Sequence, residues 1–537
     1  MPATALNTPA ITGALDLNFA EMSQRVRRLY AGARVILTLA VVAGGIAILQ
    51  QNPSWIASYL LISGSSLALV WLWTSAPRQG LPLLPIFAVQ HLVIYALPFV
   101  IQNKTVQITP VPVLLQASLG FCLFLGCCWG GRAFGQGLIG RVRPSRWNLS
   151  LAEGRNAAAR CFSLSFVLLT MALLFYVTAR AGWLFTLLPA DLFPLLRTFA
   201  TAAAMLGGML GALVIGKLKS DLRQWLFWAL IIAICLLSVA DVLVSGASGV
   251  VIAVMLGLAL GSRRLPWKFL VITFAIIGVL NQGKFVMRAR YWDKDSGSTV
   301  TMTQLPAFFR EWISASWEVW SNGEEQTALD AVADGTNGQS ILDRIDNLQN
   351  LTFIIERLEP GDIQTLHGET YTLIPKLLIP RLFWADKPRA HEGQILLNLH
   401  YGRQTSVEDT EKTYIAWGLL PEAVGNFGIL WGPIIVGSLL GIFIGLIEAY
   451  SLRIRLFSIE GIVLLGLLLQ VAGSYEMVAS VLVTSTFQFL VASLASGILL
   501  YSWFKGSRNQ AAPWKSKGLK MRLAPHPAGE SPPNSHV

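Results

Sequence analysis

Runs of about 20 apolar residues recur along the chain, each long enough to cross the ~30 Å hydrocarbon core of a bilayer as a helix. Before a long polar interruption they fall at 31–50, 54–74, 81–101, 111–131, 157–179, 195–215, 224–244, 247–261 and 266–285. After it they fall at 428–449, 459–474 and 478–503. The pattern predicts an all-α polytopic membrane protein of about twelve transmembrane helices, with one long loop between the ninth and the tenth. The runs at 247–261 and 459–474 are short enough to be re-entrant segments instead. The chain then divides into a polar tail (1–30), a first helical block (31–285), the loop (286–427), a second helical block (428–503) and a basic tail (504–537) rich in Pro, Gly, Ser and Lys. That last composition cannot bury a core and predicts disorder.

Charge orients the spans. With the N-terminus inside, alternate connections should be basic. Arg132, Arg141, Arg143, Arg146, Arg155 and Arg160 fill one such connection, Lys217, Lys219 and Arg223 the next, then Arg263, Arg264 and Lys268, then Arg453 and Arg455. The opposite connections hold only a few, such as Lys104 and Arg180. This asymmetry predicts both termini in the cytoplasm and the long loop outside. It also explains the net charge of +11, which implies no nucleic-acid partner.

Composition agrees with the pattern. The 537 residues are 54% hydrophobic and 13% charged, whereas a soluble domain carries about twice that charge fraction. The five cysteines lie in or beside apolar spans and form neither a disulfide framework nor a metal motif. Within the loop, Leu305 to Trp320 carries aromatics at helical spacing, suited either to the headgroup zone or to the loop's own core. Ser340 and Asp343 form a capping box for a helix with Ile341, Ile345, Leu348 and Ile355 on one face, ended by Pro360-Gly361. The glycosylation-type triplets at Asn103, Asn148 and Asn350 are of a kind that arises by chance.

The loop is also where chemistry concentrates. It holds about two-thirds of the chain's 30 Asp and Glu residues in about a quarter of its length. P-loop, Rossmann, GxSxG and HExxH patterns are absent, which argues against nucleotide-driven transport and zinc proteolysis. Arg381, Lys387, Arg389, His391 and Arg403 fall within a short, proline-broken segment. Guanidinium groups grip phosphate oxygens in pairs and lysine adds a point charge, so the cluster suits a pyrophosphate carried on a membrane lipid; it equally suits pairing with Asp386, Glu392, Glu408 and Asp409. Arg288 and Arg290 follow the ninth span, where they either snorkel to headgroups or join that anion site. Asp241 and Glu422 sit at span ends, where ionisable groups are functional candidates. Glu422, His391, His367 and His400 are candidate bases for a sugar hydroxyl.

Gly368-Glu369-Thr370-Tyr371, then Ile379-Pro380-Arg381 through Trp384 to Asp386-Lys387-Pro388, resemble bacterial O-antigen and exopolysaccharide repeat-unit polymerases. So do Asp343-Arg344 upstream, Glu422 with Asn426-Phe427-Gly428 downstream, and the plan of many spans with a late loop. The detailed likeness covers about residues 340–435. The resemblance implies a multi-pass protein of the bacterial inner membrane with the architecture of membrane glycosyltransferases of the GT-C type. A growing glycan would pass from undecaprenyl pyrophosphate to a new lipid-linked repeat unit in an inverting transfer at the periplasmic face, without metal or cofactor. Lipid-linked oligosaccharides would be its substrates, and a chain-length regulator and a flippase its partners. Arg381, Lys387 and Glu422 are the matching positions. By chemistry, Arg381 and Lys387 would stabilise the departing pyrophosphate, with Glu422 or His391 as base. Arg288, Arg290, Arg389 and Arg403 join that site by position and charge. An O-antigen ligase, or a flippase or transporter, remains an alternative reading of the same plan.

Overall fold

The computed structural model describes residues 27–76, 79–139, 157–189, 192–215, 222–242, 244–262, 266–293, 297–298, 300–322, 346–359, 361, 363–379, 383–384, 386–412, 415–456, 458–474 and 477–510, with Phe19, Glu21 and Gln24 before them. The first block comprises α1 (Arg27–Gln51), α2 (Ile56–Ser75), α3 (Leu83–Val100), the short α4 (Lys104–Ile108), α5 (Val111–Leu138), α6 (Ala157–Arg180), the short α7 (Trp183–Leu187), α8 (Phe193–Ile215), α9 (Leu222–Val239), α10 (Val244–Ser262) and α11 (Trp267–Gln282). The polar stretch holds α12 (Lys284–Tyr291), a small antiparallel hairpin of β1 (Trp292–Asp293) and β2 (Gly297–Ser298), then α13 (Leu305–Asn322), α14 (Leu348–Leu358), α15 (Glu369–Leu378), α16 (Glu392–His400) and α17 (Val407–Lys412). The chain closes with α18 (Leu419–Ser451), α19 (Ile459–Ala472) and α20 (Ala479–Gln510).

Among the described residues nine helices are long and apolar enough to cross a membrane: α1, α2, α3, α5, α6, α8, α9, α18 and α20. α10, α11 and α19 are apolar but shorter. Large apolar side chains also point away from the protein. Ile36 on α1 and Phe274 on α11 are each 68% exposed. Contiguous faces of that kind are satisfied by lipid and not by water. The protein is therefore a helical polytopic membrane protein.

Its spine is the pair α5 and α18, whose backbones touch. A Cβ added at Gly131 would lie 2.3 Å from the Ser438 carbonyl oxygen, one at Gly441 2.1 Å from that of Cys128, and one at Gly445 2.2 Å from that of Arg132. Rows of small residues permit this approach in lipid, where helix association rests on van der Waals packing. At one end of the seam the buried Arg132 Nε donates to Glu448 Oε2 at 2.6 Å. Glu448 Oε1 accepts from Trp73 Nε1 at 3.0 Å and from the Leu84 N–H at 3.1 Å. A charge pair held out of water needs such further bonds, and here they bind α2, α3, α5 and α18 together.

α18 is two helices. Gly428 (φ 79°, ψ 171°) interrupts it, a backbone conformation that suits glycine. In a straight helix residues 423 and 432 would stand about 13 Å apart. Yet a Cβ at Gly432 would lie 2.3 Å from the Ala423 carbonyl oxygen, so the chain folds sharply and 419–427 lies back against 429–451. The sequence pattern begins a span at 428, which is where the break falls.

The polar stretch docks on the ends of these helices. Pro98 has no N–H to give the Ile94 carbonyl, and the Asn347 N–H takes that place at 3.2 Å. α13 buries one face in a small core, but not one of the loop alone: Phe308 and Trp312 pack with Val286, Met287 and Val300 and with Val239, Val242 and Ala247 at the turn between α9 and α10, while Ile313, Trp317 and Trp320 are exposed. Of the capping box, Ser340 and Asp343 lie outside the described residues; α14 begins at Leu348, where Asp346 Oδ1 accepts the Gln349 N–H at 3.2 Å. Asn103 and Asn350 are buried, unlike glycosylated asparagines, and Asn148 lies outside the described residues. The tail beyond Gln510, expected to be disordered, also lies outside them.

The seam makes neighbouring glycines unequal. A Cβ at Gly130 meets nothing within 4 Å. Gly131→Ala is expected to cost about 1–3 kcal/mol through overpacking, whereas Gly130→Ala leaves stability unchanged or raised. Thermal unfolding of the two detergent-solubilised variants tests this, and equal melting temperatures would refute the seam.

Candidate functional site

The break at Gly428 organises the surroundings of Glu422. In the last turn before it, carbonyls lack helical donors. That of Gly425 accepts the Leu366 N–H at 3.0 Å and the Tyr401 hydroxyl at 2.5 Å. Tyr371 stacks on Phe427 with ring centroids 5.6 Å apart. The segment leading into α15 and the end of α16 are thereby pinned to the short first half of α18.

Glu422 lies wholly inside this arrangement. Its Oε1 accepts from Thr370 Oγ1 at 2.7 Å, and its Oε2 accepts the Ala479 N–H at 2.6 Å. Asn426 Nδ2 donates to Thr370 Oγ1 at 2.9 Å. The carboxylate thus meets one of the orphan N–H groups at the start of α20, where negative charge is favoured, and clasps α15, α18 and α20. Burial and the nearby Glu422 carboxylate push the Tyr371 hydroxyl well above the ordinary tyrosine range.

The basic cluster divides. Arg381 lies outside the described residues, as does the side chain of Arg288 on α12. Arg290 pairs with Glu311, which also accepts the Tyr291 hydroxyl at 2.5 Å, beside the separate α13 core and not with the others. Lys387 Nζ donates to the Leu377 carbonyl at the end of α15. Arg389 is exposed. His391 shares a hydrogen bond between Nδ1 and Gln394 Oε1 at 2.7 Å and starts α16, whose Gly393 packs against Ser480 beside the Glu422 clasp. The Arg403 guanidinium lies 4.7 Å from the centroid of the Phe353 ring. Burial lowers its pKa, and the Asp346 carboxylate opposes that. Asp241, the other span-end carboxylate, pairs with Arg180. The structure therefore groups His391 and Glu422 around the start of α20, and sets Arg403 against α14.

A cavity of about 500 Å³ opens beside the break. Gln116 of α5, Glu359, Gln364, Thr365 and His367 supply its polar groups, over a floor that includes Leu358, Ile363 and Ile429. His367 holds φ at +48°, and Gly368 follows at +90°. By helical rotation, Phe353 with its stacked arginine stands on the face of α14 away from Leu358 and Glu359. The sequence pattern names His367, but Gln116 and Glu359 escape it. Gln116 has one signal, an amide within an apolar span; Glu359 is one carboxylate among many in the loop. Among the described residues no group of three or more His, Cys, Asp or Glu is placed to hold a metal ion.

No family profile, characterised protein or solved structure matches the chain.

Two substitutions probe the buried carboxylates. Glu422→Gln sets an amide against the Ala479 N–H or the Thr370 hydroxyl, and an unpaired buried donor costs about 1–3 kcal/mol, read as a lowered melting temperature. Asp346 is buried, which raises its pKa, although Thr105, Asn103 and the N–H groups of Leu348 and Gln349 oppose the shift. A carboxyl raised on folding contributes stability that is present below its unfolded pKa and lost as pH rises through the folded one. Asp346→Asn should abolish that step, so the wild-type melting temperature falls relative to the variant as pH rises from about 4 through the raised value. A constant difference across that window would contradict it.

Proposed function

We propose that the chain is a glycosyltransferase of the bacterial inner membrane that polymerises oligosaccharide repeat units carried on undecaprenyl pyrophosphate. In this reading α10, α11 and α19 also cross the bilayer, giving about twelve spans, both termini are cytoplasmic, and the loop faces the periplasm. The growing glycan leaves its pyrophosphate and joins the non-reducing end of a newly delivered repeat unit.

One observation carries the reading. The polar stretch does not stand off from the helices; it docks into their ends, and a cavity with carboxylate, imidazole and amide groups opens there over an apolar floor. A substrate with a lipid tail and a hydroxyl-rich head meets both environments at that depth. Lys387, Arg389 and Arg403 on the same docked stretch, with Arg381 in sequence between them and α15, offer charge for a departing pyrophosphate, which is already a good leaving group. Stabilising that charge is the contribution expected to matter most.

Purified protein in vesicles, given undecaprenyl-pyrophosphate-linked repeat units and no nucleotide, should yield lipid-linked oligomers detectable by mass spectrometry. Arg381→Ala should slow elongation about 10²–10³-fold, the scale of a lost charge-stabilising donor, with membrane insertion unchanged. Translocation without elongation would mark a carrier, and transfer only to a lipid A core acceptor would mark a ligase.

A further inference from the structure

None of the described lysines and arginines lines the cavity beside Gly428. Gln116, Glu359, Gln364 and His367 do. Glu359 would repel a pyrophosphate, and no described lysine or arginine of the lining would offset that. Carboxylate, amide and imidazole groups over aliphatic side chains are instead the partners of a neutral polyhydroxy ring, with hydroxyls at its rim and C–H faces on the floor.

His367 holds an unusual backbone position in it. Its φ of +48° is rare for a residue with a side chain. Bonds on both sides hold it there: the Leu366 N–H to the Gly425 carbonyl at 3.0 Å, the Glu369 N–H to the Leu366 carbonyl at 2.9 Å and the Tyr371 N–H to the Gly368 carbonyl at 3.0 Å. Nδ1 lies 3.3 Å from Thr365 Oγ1; in the tautomer in which Nδ1–H donates to that hydroxyl, Nε2 carries the lone pair that a base needs. Backbone strain retained beside a cavity is a mark of a working residue.

We infer that this cavity is the acceptor subsite, taking the neutral terminal sugar of the incoming repeat unit, and that His367 is the base that receives its hydroxyl proton. The inference rests on the glycosyltransferase reading above. The acceptor oxygen forms a bond to the anomeric carbon of the donor as the bond from that carbon to the pyrophosphate oxygen breaks. The electron pair leaves with the polyprenyl pyrophosphate, and the hydroxyl proton passes to Nε2 and then to water.

Two measurements on the full-length protein test it. Carbethoxylation of His367 by diethyl pyrocarbonate, followed by peptide mass spectrometry, needs no activity. Repeat-unit oligosaccharide released by mild acid from the cell's own polyprenyl lipids should slow the modification several-fold, and inorganic pyrophosphate should not. Protection by pyrophosphate, or by neither, overturns the subsite. In the elongation assay His367→Gly should lower kcat about 10²–10⁴-fold, the range for a lost general base, while the melting temperature holds or rises because the strained backbone is relieved. Glu359→Gln should raise the KM for acceptor and leave kcat near wild type. An unchanged kcat in His367→Gly overturns the base assignment. Absence of elongation by the wild type refutes the underlying reading separately, since the protection experiment stands without it.

Discussion

A helix that breaks beside a membrane exposes carbonyls to surroundings poor in water, and each needs a donor from elsewhere in the protein. At Gly428 that requirement draws the loop inward. The Gly425 carbonyl takes the Leu366 N–H and the Tyr401 hydroxyl, and a second freed carbonyl, that of Ile94 above Pro98, takes the Asn347 N–H. These contacts set where α14, α15 and α16 begin and end relative to the spans. The Glu422 clasp, the stacked Arg403 and the cavity all follow from them. The loop is positioned by unmet backbone need more than by its own apolar content.

How much of this was legible in the sequence depends on the range of the interaction. The spans are local patterns of apolar residues, and the longer helices of the first block follow the runs within a few residues, apart from α5, which continues to Leu138; the short α4 and α7 match no run. The polar stretch announces itself by composition. Its docking does not, because the partners are remote: Asn347 meets Tyr95 across 252 positions, and Glu448 meets Trp73 across 375. Glu422 illustrates the difference. The sequence marks an ionisable group at a span end, but its meaning depends on Thr370 and the Ala479 N–H, which only the fold brings to it. The basic cluster shows the opposite error of reading. Adjacent in sequence, its members disperse: Lys387 to the end of α15, His391 to the start of α16, Arg403 to the ring of Phe353. Charge density along a chain reports a neighbourhood, and the turns between its residues decide which side of each helix the charges reach.

α18 connects two buried polar centres. Glu422 stands before the break, and Glu448 lies far along the second half with Arg132, Trp73 and Leu84. Both carboxylates are fully hydrogen-bonded and neither is exposed. The ion pair at Glu448 adds little net stability over a well-packed apolar substitute, but removing one partner is costly. The effect of both carboxylates is on alignment. The pair at Glu448 fixes the height of α18 against α2, α3 and α5, and the clasp at Glu422 fixes the height of α15 and α20 against α18.

The contact of α5 with α18 has a further consequence for how such a protein changes length over time. The two backbones touch through glycines that recur every four residues on one face, Gly131 and Gly135 lying against Ser438 and Ile442, and Gly437, Gly441 and Gly445 against Phe124, Cys128 and Arg132. Adding one residue to either helix turns everything beyond it by about 100° and presents side chains where there is room for none. Adding four turns it by only about 40°, close to the original face. Insertions and deletions are therefore quantised in helical turns along this seam, while the connections around it are free to drift one residue at a time.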